Sequence, residues 1–159
     1  MVMSDPLTGL ANYRRLVEVF NAEAKRSHRT GRLFSLMLLD LDGLKKINDE
    51  HGHLTGSRAL CRVANILRNH CRDSDVAVRH GGDEFAVILP ETGLDGAQQF
   101  ARRICERLTS DGQRPLLSAS VGSAVYPQDG QTYEDLFAVA DRALYQMKGH
   151  GGGRLSQST

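Results

Sequence analysis

Cysteine is scarce in this sequence and never clustered: Cys61, Cys71 and Cys105 stand far apart. An odd, dispersed set excludes a zinc cage and a disulfide framework, and reads as reduced thiols in or at the ends of helices. Net charge is equally slight. The 20 basic and 19 acidic side chains leave a formal +1, so the global balance gives no signal for a nucleic acid polymer or an anionic membrane. Apolar runs such as Leu36 to Leu39 or Phe85 to Leu89 fall far short of the roughly 20 residues a membrane helix needs. No secretory pattern opens the chain. A Gly-x-x-x-x-Gly-Lys loop is also missing, which excludes a P-loop nucleotide site. What remains is 159 residues, enough for one well-buried core and short for two. The expectation is a single cytoplasmic domain over residues 1–159, with a lead-in turn over 1–11 and a flexible glycine-rich tail over 149–159.

Between those ends the periodicity alternates. Tyr13, Leu16, Val17, Phe20 and Ala24 predict a helix from about Asn12 to His28, and Leu33 to Leu39 reads as a buried central strand ending at Asp40. A loop and short helix occupy Asp40 to Asp49, and a second helix runs from about Thr55 to Asn69. Val76-Ala77-Val78 and Phe85 to Leu89 flank Gly81-Gly82 and predict a tight hairpin, whose glycines would supply positive φ. Ala97 to Leu108 marks a third long helix, Leu117 to Tyr126 another strand, and Leu136 to Met147 a last helix. Strand-helix-strand-strand-helix-strand order predicts an α+β fold with a ferredoxin-like core: a mainly antiparallel sheet flanked by helices. In that arrangement the first and third strands are adjacent and antiparallel, so Asp40 lies beside Asp83 and Glu84.

Those acids offer only hard oxygen ligands, which favour magnesium or manganese over zinc. Successive strand residues face opposite sides, so Asp83 and Glu84 cannot be equivalent. Asp40 and Asp83, with the Leu41 carbonyl, are the expected metal ligands; Glu84 is a weaker candidate that orients the cluster. Surface acids at strand ends are the competing explanation. After Asp40, Gly43 permits close backbone approach, amides at a helix start hold anions, and Lys45, Lys46 and Lys148 add positive charge. Carboxylates for metal beside amides and lysines for phosphate describe a nucleoside-triphosphate site.

Asp5-Pro6-Leu7-Thr8-Gly9-Leu10, Asp40-Leu41-Asp42, Lys45, Ile47-Asn48-Asp49, Gly52-His53, Gly56, Gly81-Gly82-Asp83-Glu84-Phe85, Ala140 to Tyr145 and Lys148 together resemble the GGDEF family of cyclic-dinucleotide synthases. The resemblance implies a nucleotidyl-cyclase, palm-like fold. It implies a catalytic homodimer, with one triphosphate on each protomer and two Mg²⁺ or Mn²⁺ ions per half-site. It further implies attack of each 3′-hydroxyl on the facing α-phosphate, with pyrophosphate released. Asp83 and Glu84 are then the catalytic candidates, Gly43, Leu44, Lys45 and Lys148 the phosphate contacts, and Asn48 with residue 57 the base-reading pair. Arg72 and Asp75 resemble the family's inhibitory site for product, with Arg102 or Arg103 as a further contact. The family domain usually follows a sensor or dimerising segment, so this chain is expected to be the excised catalytic domain of a longer signalling protein.

Two departures qualify the match. Residue 57 is Ser57 where the family usually has Asp. A carboxylate accepts from guanine N1–H and N2–H and opposes adenine N1, whereas a hydroxyl donates or accepts. Ser57 therefore predicts use of ATP beside GTP and a cyclic GMP-AMP product beside cyclic di-GMP, as in a hybrid promiscuous subgroup. A GTP-only enzyme is the alternative. The second departure is in the tail, where Gly152 and Gly153 replace an expected phosphate-binding arginine that Arg154 would have to supply. That loss favours a second alternative, an inactive cyclic-dinucleotide receptor working through Arg72 and Asp75, and a third is an interaction module awaiting an activator.

Overall fold

A computed structural model describes residues 4–149. In chain order the elements are α1 (Tyr13–Thr30), β1 (Phe34–Leu41), α2 (Leu44–His51), α3 (His53–His70), β2 (Val76–Arg79), β3 (Glu84–Pro90), α4 (Leu94–Ser110), β4 (Ala119–Tyr126) and α5 (Tyr133–Gly149). The strands form one antiparallel sheet in the order β2-β3-β1-β4. This is the expected α+β palm-like arrangement, with β1 and β3 adjacent at its centre. The tail expected over 149–159 begins inside α5, which runs to Gly149; residues 150–159, including Arg154, lie outside the described residues, as does the start of the lead-in.

Strand alternation divides the core into two layers. Met37, Leu39 and Leu41 of β1 join Phe85, Val87 and Leu89 of β3 beneath α3 and α4. Phe34, Leu36 and Leu38 join Ala86 and Ile88 beneath α1 and α5. Because β1 is buried on both faces, it reads as a continuous apolar run, and alternation shows only in which layer each residue fills.

Several boundaries differ from the expectation. β1 continues through Asp40 to Leu41, since pairing with β4 holds both residues in the ladder. α3 begins at His53 and α5 at Tyr133, each earlier than the apolar spacing indicates. The hairpin is the larger correction. Its connection is four residues long, His80 to Asp83, and neither Gly81 nor Gly82 has positive φ. His80 and Gly81 amides both reach the Glu84 carbonyl, at 2.8 and 3.3 Å. A wider loop replaces the tight turn that would have needed left-handed glycine.

The lead-in turn is tied to that loop. Asp5 accepts from the Thr8 amide and hydroxyl, each at 2.8 Å. Arg79 spans from Asp5, at 3.2 Å, to the Gly82 carbonyl at 2.8 Å. Burial works to raise the Asp5 pKa, but the Thr8 hydrogen bonds and Arg79 outweigh it and hold the carboxyl below its ordinary value.

Candidate active site

Register brings the acids to one end of the sheet. Asp40 pairs with Glu84 across β1 and β3, and the Leu41 amide donates to the Asp83 carbonyl at 2.9 Å. By alternation, Asp40 falls on the layer that α1 and α5 cover, and α5 supplies its counter-ion. Lys148 Nζ lies 3.0 Å from Asp40 Oδ2 and 3.5 Å from Asp42 Oδ1. Its charge and the family resemblance counted Lys148 among the phosphate contacts; the fold sets it against the carboxylates first.

Asp40 is the electrostatic centre of the cluster. Its carboxyl is pushed up to about 6, by burial above all and then by the neighbouring Asp83, while Lys148 works in the opposite direction. Its Oδ1 is buried without a hydrogen-bond partner. An unpartnered buried oxygen beside a second carboxylate is a site that a cation would stabilise, because it would relieve both desolvation and repulsion. Among the described residues no three His, Cys, Asp or Glu side chains gather as a ready-made metal cage. Two carboxylates and a backbone carbonyl instead suit magnesium, which keeps several ligands for water and phosphate.

Asp42 has a different task. Ser118 and Ser120 hydroxyls donate to its two oxygens at 2.9 Å each, and its amide reaches the Ser118 carbonyl. It therefore fastens the exit of β1 to β4. Ser118 and Ser120 have no local sequence signature for this role; only strand pairing brings them seventy-odd residues back to Asp42.

The segment that follows turns at Gly43, which adopts φ 67° and ψ 29° as the uncapped start of α2. Amides at that start, from Leu44 onward, have no side-chain cap, and Lys45 is exposed beside them. α2 packs on α3 at Asn48. A Cβ on Gly56 would sit 1.8 Å from Asn48 Oδ1, so only glycine admits this approach. Asn48 Oδ1 is itself buried without a partner, and Ser57 follows Gly56 directly, half-buried.

With this geometry in hand, the family assignment is direct: the model of the diguanylate cyclase GGDEF domain matches residues 2–154. The chain belongs to the GGDEF family. It is 37% identical to the diguanylate cyclase DgcP of Pseudomonas aeruginosa over 158 residues, covering 96% of this chain but 23% of that protein. The chain thus spans about a quarter of that relative's length. Among solved structures, a sensory box/GGDEF family protein from Caulobacter crescentus has a TM-score of 0.87 and 37% identity, covering 94% of this GGDEF chain and 100% of that one. The GGDEF domain of DgcB from Caulobacter crescentus, solved in complex with c-di-GMP, has a TM-score of 0.88 and 28% identity, over 97% and 94% of the two chains.

Arg72 and Asp75 meet, but mainly each other. Arg72 Nη2 lies 2.9 Å from Asp75 Oδ1, and the Arg72 amide donates to Asp75 Oδ2 at 2.8 Å. The Asp75 side chain is only 2% exposed, while that of Arg72 is 55% exposed and also reaches the Pro90 carbonyl and Thr92. Arg102 and Arg103 are exposed on α4, with Arg103 against the Phe100 ring. Cys71 and Cys105 thiols are both pushed up to about 11 by burial first and nearby acids second, as inert thiols should be. No helix among the described residues is long and apolar enough to cross a membrane.

Proposed function

We propose that this domain joins two GTP molecules into cyclic di-GMP with release of pyrophosphate, in the cytoplasm, each nucleotide held by one protomer of a homodimer. The observation that carries the reading is the Asp40 carboxyl: buried and unpartnered at Oδ1, raised by that burial first and then by Asp83, and faced by Lys148. Divalent ions bound at Asp40, Asp83 and the Leu41 carbonyl would supply Lewis-acid stabilisation of the attacking and leaving oxygens. The chain's own residues do the rest. Amides at the start of α2, with Lys45, bind phosphate oxygens. Lys148 balances the carboxylates at rest and turns to the triphosphate as it arrives. Glu84 orients the edge on which Asp83 works. Asn48 Oδ1 is an acceptor without a donor, which suits the guanine edge and its N1–H and N2–H groups.

Ser57 supports a wider substrate range, with ATP admitted and cyclic GMP-AMP formed beside cyclic di-GMP. Replacing a carboxylate by a hydroxyl removes the repulsion toward adenine N1, a contact of roughly 1–3 kcal/mol or about 5- to 150-fold. Product feedback is proposed at Arg72, whose guanidinium is the accessible member of its pair. Asp75 acts there as its anchor. A purely receptor role through both residues is disfavoured, because Asp75 is already fully engaged.

Incubation with Mg²⁺ and labelled GTP, ATP or both, followed by product separation, tests the proposal. Cyclic di-GMP from GTP, at a specific rate rising with protein concentration, is the expected result. No cyclic product at high protein concentration would overturn the enzyme reading. Cyclic di-GMP alone from the mixture would overturn the Ser57 reading, whereas mixed product that Ser57→Asp suppresses would support it. Asp83→Ala should abolish turnover with an unchanged circular dichroism spectrum.

A further inference from the structure

His80 ends the sequence leading into Gly81 and takes no part in the scheme above. In the fold it lies between two partners. Its Nδ1 is 2.9 Å from Glu84 Oε1, and its Nε2 is 3.2 Å from the Tyr133 hydroxyl. The ring is held from the sides as well: Tyr13 meets it edge-on and Phe137 stacks on it, each with centroids 5.2 Å apart. A carboxylate only accepts, so Nδ1 carries the proton, and Nε2 of the neutral ring is left to accept from Tyr133. Tyr133 is suited to donate. Burial first, then the neighbouring Tyr13 and Glu84, push its pKa far above the ordinary value, so the hydroxyl keeps its proton.

Resting on the cyclase reading, we propose that His80 is a positioning residue for the reaction: as the Nδ1–H tautomer, fixed by Tyr133, it holds one oxygen of Glu84 and leaves the other to the Asp40–Asp83 edge. A glutamate at the mouth of a loop otherwise samples many rotamers, and holding one oxygen removes most of that freedom. The clamp has a further consequence for the fold. Tyr13 opens α1 and Tyr133 opens α5, so the first residues of two helices bear on the ring that steers Glu84. A shift of either helix start relative to the sheet would change how Glu84 is held.

Two measurements test this, and only one needs turnover. In ¹⁵N-resolved imidazole spectra of the wild-type domain, recorded well above the usual histidine pKa of about 6.5, His80 should show the Nδ1–H pattern. The Nε2–H pattern that prevails in free histidine would overturn the proposal, whether or not the domain is active. The second measurement separates packing from positioning. His80→Phe keeps the stacked ring and loses both hydrogen bonds; His80→Asn loses the ring and places an amide N–H near the position of Nδ1. His80→Phe should melt higher than His80→Asn yet lose about 100-fold in kcat with little change in KM, the scale of a misplaced reacting group. His80→Asn should recover most of that loss. Turnover that follows thermal stability instead, with His80→Phe near wild type, would overturn the positioning role. Absence of product from the wild type would overturn the cyclase reading alone, and the tautomer would still decide the clamp.

Discussion

At the scale of single residues, Asn48 and Gly56 show how a small side chain decides what a larger one does. Asn48 keeps its amide oxygen buried and unpartnered only because Gly56 has no Cβ. A side chain of that kind is costly unless something fills its valence, and the cost is what a nucleobase donor would relieve. Gly56→Ala would place its Cβ 1.8 Å from Asn48 Oδ1 and 2.9 Å from Cγ. The flexible amide gives way rather than the backbone, so the melting temperature should change little. Nucleotide affinity should fall by the loss of one hydrogen bond, about 5- to 150-fold in Kd, as calorimetry with GTP would measure. Unchanged affinity would show that Asn48 does not read the base. The family resemblance marked Asn48 and Ser57 as candidates, but not the reason for Gly56, because the clash is between two helices and not within one.

Among the elements, α5 bears on the site through Lys148 near its end. It packs on β4 so closely that a Cβ on Gly122 would meet the Ala140 carbonyl oxygen at 2.2 Å and the Leu144 nitrogen at 2.4 Å. Both obstacles are backbone, so the helix itself must move. Gly122→Ala should therefore destabilise by about 1–3 kcal/mol or more, as overpacking does, read as a lower urea midpoint. It should also weaken triphosphate binding, because the displaced helix carries Lys148 away from Asp40 and Asp42. A destabilised variant that retained full affinity would separate α5 packing from the site. At this scale the hairpin shows what periodicity cannot supply. Two glycines between apolar runs indicate a turn, yet the loop is set by the Glu84 carbonyl accepting two amides and by Arg79 bridging to Asp5.

For the whole molecule, the acidic edge sets stability against function. Asp40 has a folded pKa of about 6 against an ordinary 3.8, so the native state binds that proton more tightly than the unfolded chain. Its contribution is full below the unfolded value and is lost as pH rises through about 6, with an upper limit of about 3 kcal/mol. In chelator, the melting temperature should fall between about pH 4 and pH 6 by an amount that Asp40→Asn removes. Mg²⁺ should raise the melting temperature more above that window than below it, because only the ionised carboxylate binds the cation. A flat profile for the wild type, or an identical fall in Asp40→Asn, would place the strain elsewhere. A domain that stores repulsion at one edge becomes most stable when its substrate and metal arrive together.

The sequence by itself determined the family, the number and type of elements, and the identity of the acids. Local spacing carries these, since helix and strand periods and the run from Gly81 to Phe85 are properties of neighbouring residues. It also indicated that Asp40 would face Asp83 and Glu84, because strand order in this α+β pattern is limited to a few arrangements. Only the tertiary structure decided what each charged group meets. Lys148 against Asp40, Ser118 and Ser120 against Asp42, and Tyr133 against His80 all depend on register and helix docking. Those are set by burial of the two apolar layers, Met37, Leu39 and Leu41 on one side and Phe34, Leu36 and Leu38 on the other. The core fixes the strands to within one pairing register, since a slip of one residue would exchange the layers. The charges at the sheet edge then take whichever partners that register provides.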